Sequence, residues 1–216
     1  MTSLVREVSV SADMDTSSAM GLETAFVFGW NNLLCPTDWI QRANLTATTH
    51  TAESQVLFTL VDQLDVQVVT LLAHALSLGP VYVVVNDFEQ ATLALCTALF
   101  PRAKELLFHH PGVLVVYADA SPSDGWYAKV VEELMKKHAA DCKSWDVAMA
   151  LFGTDAFRGA VATVSPIAPS VVFKCMSFSR VTPTILECAE RLKELAAGFD
   201  DVAFNKSSVD IVMHKL

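Results

Sequence analysis

The chain has 216 residues, 52% of them hydrophobic and 18% charged, with a formal net charge of −9. Such a length and composition suit one globular domain with a full core, and the acidic balance excludes nucleic acid as a default partner, because phosphate recognition needs clustered Lys and Arg. The longest apolar run, around Val66 to Leu78, is broken by Gln67 and His74, short of the roughly 18 continuous residues of a membrane span, so no membrane partner is expected.

Residues 1–20 are rich in Ser, Thr and Met and lack a sustained period, so they read as an N-terminal tail. A main domain is expected over 21–200 and a C-terminal extension over 201–216. Ala25–Phe28 is a first strand, entering a tight turn at Gly29. Ala52–Leu78 is predicted helical, with Val56, Leu60, Leu64, Val68 and Leu71 near one face. After a turn at Gly79-Pro80 comes a second strand, Val81–Val85, a β-branched run without alternation, as expected when both faces are covered. Phe88–Phe100 is predicted helical and stopped by Pro101. The loop His109-His110-Pro111-Gly112 leads to a third strand, Val113–Tyr117. A helix over Gly125–His138, a fourth strand over Val147–Phe152 ending at Gly153, a short helix over Asp155–Thr163 and a fifth strand over Val171–Lys174 follow. Thr182 as N-cap and Pro183 at N1 open the last helix. Gly198 is expected to end it, and Glu187 and Arg191 are spaced as an i, i+4 pair. Val209–Met213 is a possible sixth strand. Alternating apolar strands and helices predict an α/β fold with a mostly parallel central sheet and helices on both faces. Ligands in such sheets bind beyond the carboxyl ends of the strands, where the order reverses.

The five cysteines are odd in number and form no Cys-x-x-Cys pair. That pattern suggests neither zinc nor a disulfide framework, and fits buried, reduced thiols in the cytoplasm. An apolar signal core and an Arg-rich leader are both missing from the N-terminus. The closing His214-Lys215-Leu216 is only weakly similar to a peroxisomal Ser-Lys-Leu ending.

The segment Phe26-Val27-Phe28-Gly29-Trp30-Asn31-Asn32-Leu33-Leu34-Cys35-Pro36-Thr37-Asp38-Trp39 resembles the first motif of the haloacid dehalogenase (HAD) superfamily in its Asp-Trp-Asp-Asp-Thr-Leu-Leu-Pro-Thr-Ser-Trp form. Trp30, Leu34, Pro36, Thr37 and Trp39 keep the frame. The resemblance runs over about residues 24–196. It implies a HAD-like three-layer sandwich of strand order 3-2-1-4-5 with a minimal cap or none, the 40-odd residues from Trp39 to Pro80 being too few for a large one. It also implies that the chemistry is gone. The nucleophilic Asp falls on Gly29, the acid/base Asp on Asn31, and the motif Thr on Leu33. The phosphate-binding Ser or Thr falls on Val85, in a segment similar to Val-Thr-Asn-Ala-Glu-Glu. The charge-offsetting Lys falls on Tyr127, with Lys129 two residues later on another helix face. The Mg²⁺-binding Asp falls on Thr154, with Asp155 one place late.

HAD-type transfer passes through an aspartyl phosphate, so its nucleophile is not optional, and Mg²⁺ needs carboxylate ligands. The resemblance therefore implies a catalytically inactive protein, with no cofactor and no metal. Its expected role is that of an interaction or structural module for a protein partner, in the cytoplasm or associated with an assembly or the cytoskeleton. A second reading keeps a phosphorylated ligand bound but unreacted in the residual cleft, through Asn31, Asn32, Asp87, Lys129, Thr154 and Asp155. A third is an atypical Mg²⁺-dependent phosphatase using Asp87 and Asp155. Asp87, Asp119 and Asp155 each follow a strand, but Asp is common there as a turn or cap residue. His109-His110 beside Pro111-Gly112 reads as a solvated loop. Cys35 lacks the Arg six residues on that a thiol phosphatase uses, Gln41 being there. Cys175 and Arg180 also miss that spacing. Trp30 and Trp39 read as packing residues, with ligand stacking the alternative.

Overall fold

The computed structural model describes residues 4–10, 22–45, 52–118, 122–142, 146–179 and 182–215. Residues 11–20 of the expected tail lie outside them, as do Asp119, Arg180 and Leu216. The architecture is α/β and Rossmann-like, as expected from the alternating pattern. The chain forms two compact units: Met1–Val27 with Pro122–Arg180 and Gly198–Leu216, and Phe28–Ser121 with Val181–Ala197.

In the first unit the strand order is β1-β7-β6-β5-β2, formed by Leu4–Val10 (β1), Glu23–Gly29 (β2), Val147–Thr154 (β5), Val171–Phe178 (β6) and Val209–Lys215 (β7). β5, β6 and β7 are mutually parallel, and β1 lies antiparallel on β7 from Leu4↔Lys215 to Val10↔Val209. The sequence gives no periodic signal for β1, whose partner is some 200 residues away; the ladder, not local pattern, makes it a strand. The helices of this unit are α5 (Asp124–Asp141), α6 (Asp155–Val164) and the end of α7 (Ile185–Ala203). Its core is aromatic: Phe199 sits 5.2 Å from both Phe26 and Phe152, centroid to centroid.

The second unit has the order β2-β3-β4, where Val81–Val85 (β3) and Val113–Tyr117 (β4) are parallel. All of β3 is buried, as its unbroken β-branched run predicts. The expected order 3-2-1-4-5 thus appears as 3-2-1 in this unit and 1-4-5 in the other. The unit's helices are α1 (Thr37–Arg42), α2 (Ala52–Leu78), α3 (Glu89–Leu99), α4 (Pro101–His109) and the start of α7.

Several local expectations need correction. Pro101 does not merely stop a helix; it starts α4 at N1, where its missing N–H is no loss. In α2 the expected Leu64, Val68 and Leu71 are buried, together with Val61, Asp65, Leu72 and Ala75, but Val56 is 62% exposed. Gln55–Leu78 of α2 is long and apolar enough to cross a membrane by length and composition alone, although no uninterrupted apolar run singled it out. Core helices pass the same test, but only 33% of the most apolar part of this stretch is buried; Asp65 is wholly so, against the start of α4. The cap of α7 is Thr184, not Thr182. Thr184 N donates to Glu187 Oε2 at 2.8 Å and Glu187 N to Thr184 Oγ1 at 3.2 Å, a reciprocal capping box. Gly198 does not end α7, which continues to Ala203. A Cβ at that glycine would approach Met176 Cε at 3.3 Å, so the position allows close packing rather than a stop.

Lys174 points into the first unit from β6 with no exposed surface, and its Nζ donates to the carbonyl of Ala203 at 2.7 Å, closing the last turn of α7. Burial pushes its pKa down from 10.5 to about 8. The unfolded chain then holds more protons than the folded one between those values, so this group adds stability as pH rises through the window. Burial raises the thiols of Cys96, Cys175 and Cys188 to about 12, which removes stability above pH ~9. That loss is common to wild type and Lys174→Met. Subtracting the two melting curves at each pH is therefore expected to give a wild-type advantage that grows from pH 7 to 10. A flat difference would show that the lysine is not held in this low-dielectric position.

Candidate functional site

β2 ends at Gly29, and the following loop is tied to β3 within the second unit. Trp30 N donates to Val84 O at 2.9 Å, and the Trp30 ring is buried, edge-on to Phe100 at 5.9 Å. Packing thus accounts for Trp30. The turn closes on itself through Asn32 N to Cys35 O (2.7 Å), Cys35 N to Trp30 O (2.9 Å) and Thr37 N to Cys35 O (2.8 Å). Asn32 has φ 59°, a left-handed conformation that Asn tolerates better than most residues.

The two asparagines are anchors of this loop. Asn31 Oδ1 accepts from Asn86 N at 2.9 Å, and its Nδ2 donates to Thr37 Oγ1 at 3.4 Å. One amide therefore joins the loop after β2 to the loop after β3. Asn32 Oδ1 accepts from Asp38 N at 3.3 Å. Their backbone is held from α7: Arg191 Nη1 donates to Asn32 O at 3.2 Å, and the Cys188 thiol to Leu33 O at 3.0 Å. Leu33 and Val85 are wholly buried. An amide at Asn31 does not titrate near neutral pH and cannot serve as an acid or base. Asp87, in the same unit, is exposed and accepts from Phe88 N at 2.8 Å at the start of α3, the local turn role of such residues.

The remaining positions belong to the first unit. Tyr127 packs edge-on against Trp126 and Phe157, with centroids 4.9 and 5.4 Å away. Phe157 in turn covers Gly153. Lys129 is on the exposed side of α5, 3.9 Å from Glu133 in an i, i+4 pair. Thr154 precedes α6 as its N-cap, without a side-chain cap bond. Asp155 is exposed in the first turn, beside Arg158 at the mouth of a cavity. The structure therefore groups Asn31 and Asn32 with Asn86, Thr37 and Asp38 in one unit, and Tyr127 with Phe157 and Gly153 in the other.

Among the described residues no group of three or more His, Cys, Asp or Glu could hold a metal ion. His110 Nδ1 accepts from Gly112 N at 3.1 Å, closing the loop that the sequence predicts there. Cys35 is wholly buried, and burial together with the neighbouring Cys188 and Cys96 thiols raises its pKa well above 9.0, so it is no nucleophile. Sequence reasoning missed Arg191, Cys188 and the Asn86 amide as supports of the loop. Arg191 is spaced as an i, i+4 partner of Glu187, and that ordinary spacing does not announce its reach to Asn32.

No protein-family model, curated protein or solved structure matches this chain.

Proposed function

We propose that this chain is a catalytically inactive, HAD-like protein that acts as an interaction or structural module for a protein partner. The observation that carries the reading is the use made of Asn31. At the position where the resemblance puts an acid/base aspartate, this chain has an amide that fastens two loops. Gly29 supplies no nucleophile, and Tyr127 is packed among aromatics where a lysine would offset phosphoryl charge. Loss of a covalent nucleophile costs several orders of magnitude in rate.

The test joins turnover with binding. Purified protein is expected to hydrolyse no phosphate ester, and its melting temperature to stay the same with Mg²⁺ and beryllium fluoride. A Mg²⁺-dependent rate that disappears in Asp155→Ala would overturn the proposal in favour of an atypical phosphatase. A melting shift with beryllium fluoride and no turnover would support instead the second reading, a non-catalytic binder of phosphorylated ligands. Asn31→Asp keeps the acceptor for Asn86 N and is expected to stay folded, yet to gain no turnover.

A further inference from the structure

The outward side of α2 is more apolar than a solvent-facing helix needs to be. Only 33% of its most apolar part is buried, and Val56, Val66 and Leu78 are 62%, 44% and 36% exposed. The exposed positions Val56, Thr59, Gln63, Val66, Thr70, Ala73 and Ser77 recur at alternating steps of three and four. That is the spacing of a seam along which one helix meets another. None of these residues carries a charge, whereas about a quarter to a third of an ordinary surface is charged.

The hydroxyls of the seam are turned back on their own helix. Thr59 Oγ1 donates to Gln55 O at 3.0 Å, Thr70 Oγ1 to Val66 O at 2.8 Å and Ser77 Oγ to His74 O at 2.6 Å. Their protons are satisfied within α2, so covering them strands no donor. Beside the seam, in the same unit, a groove of about 270 Å³ runs between α2 and α7, with Val66, Thr70, Leu71, Leu192 and Ala196 in its lining. Val66 and Thr70 belong to both the seam and the groove. One helix laid along α2 therefore covers both.

We propose that this face is the contact between two copies of the chain, α2 packing antiparallel on α2 of the second copy about a two-fold axis at Val66. Two observations select a second copy. The first is that the seam complements itself, as a two-fold contact requires. Val66 meets its own symmetry mate. Val56 and Leu78 stand on opposite sides of it, about 15 and about 18 Å away along the helix at 1.5 Å per residue, so each falls beside the other in the opposing copy. The second is charge. Each chain carries −9, and two such copies repel unless they meet where neither is charged. The seam meets that condition. The contact is built from residues outside the loop after β2 and does not depend on the HAD-like reading.

The experiment is sedimentation velocity of the full chain at micromolar concentration, where a species of twice the 23.5 kDa chain mass is expected. Thr70→Arg replaces an exposed seam residue with a better helix former, so it folds, and it is expected to raise the dimer Kd at least tenfold. Thr163→Arg is the matched control, an exposed helix threonine whose Oγ1 likewise donates to its own helix, at Gly159 O; it is expected to leave the dimer unchanged. Orientation is read by cross-linking in a Cys142→Ser background. A mixture of Val56→Cys and Leu78→Cys chains should join through a short bis-maleimide, and neither should join alone. Val56→Cys joining to itself would overturn the antiparallel contact. A dimer unmoved by Thr70→Arg, or a chain that stays monomeric, would overturn the assignment. In a monomer, binding to phosphatidylcholine vesicles that Thr70→Arg abolishes would give the face to a lipid surface instead.

Discussion

Gly153→Ala is expected to cost about 3 kcal/mol of stability, the upper range for a side chain forced into a filled core. At this chain length that corresponds to a fall in melting temperature of roughly 6–12 °C. The cause is specific. A Cβ at Gly153 would come within 2.8 Å of Phe157 Cε2 and 2.9 Å of its Cγ, closer than real contacts allow. Phe157 is 3% exposed and also meets Tyr127 edge-on, so its ring has nowhere to retreat. Phe157→Leu in the Gly153→Ala background frees that space and should recover part of the loss. If the double variant is as destabilised as the sum of the two single ones, the ring does not set the requirement for glycine.

Asp65→Ala should have an effect of similar size, about 3–4 kcal/mol, for an electrostatic reason. The first turn of α4 has no side-chain cap of its own. Asp65, from the buried face of α2, accepts from Arg102 N at 2.9 Å and from Ala103 N at 2.8 Å. It replaces the missing cap from another helix and puts a negative charge at the positive end of α4. Arg102 Nη1 reaches the same carboxylate at 3.4 Å and Asp62 at 2.5 Å. Removing Asp65 strands two backbone donors in the interior. Asp65→Asn preserves the volume and one acceptor, so about half of the loss is expected. Urea unfolding of both variants measures this; a wild-type midpoint in Asp65→Ala would rule out capping from α2.

Much of the fold was legible because its signals are local. The run Val81–Val85 declared a strand covered on both faces, and β3 is buried throughout. Val209–Met213 likewise marked the place of β7. The errors occurred where a residue has two meanings. Proline both stops and starts helices, and Pro101 starts α4. Thr182 and Thr184 both suit an N-cap, and only Glu187, three residues beyond Thr184, decides between them through the capping box. β1 was illegible because its ladder partner lies at the far end of the chain.

The candidate site was legible as a list of substitutions but not as a structure. That Asn31 is no aspartate can be read in the sequence. Its bond to the Asn86 backbone, 55 residues away, cannot. Nor does anything near Arg191 announce its bond to Asn32.

The cysteines give the chain a memory. Cys35, Cys96, Cys175 and Cys188 are buried, Cys142 partly so. Sulfur oxidises through its thiolate and needs an approaching reagent, and the native fold withholds both from the buried four. Their chemistry is therefore reserved for moments when the chain opens. A disulfide or sulfinic acid at Cys35, Cys96 or Cys188 would record that a molecule had once lost its fold, and would hinder its return, because the native fold leaves these three no exposed surface.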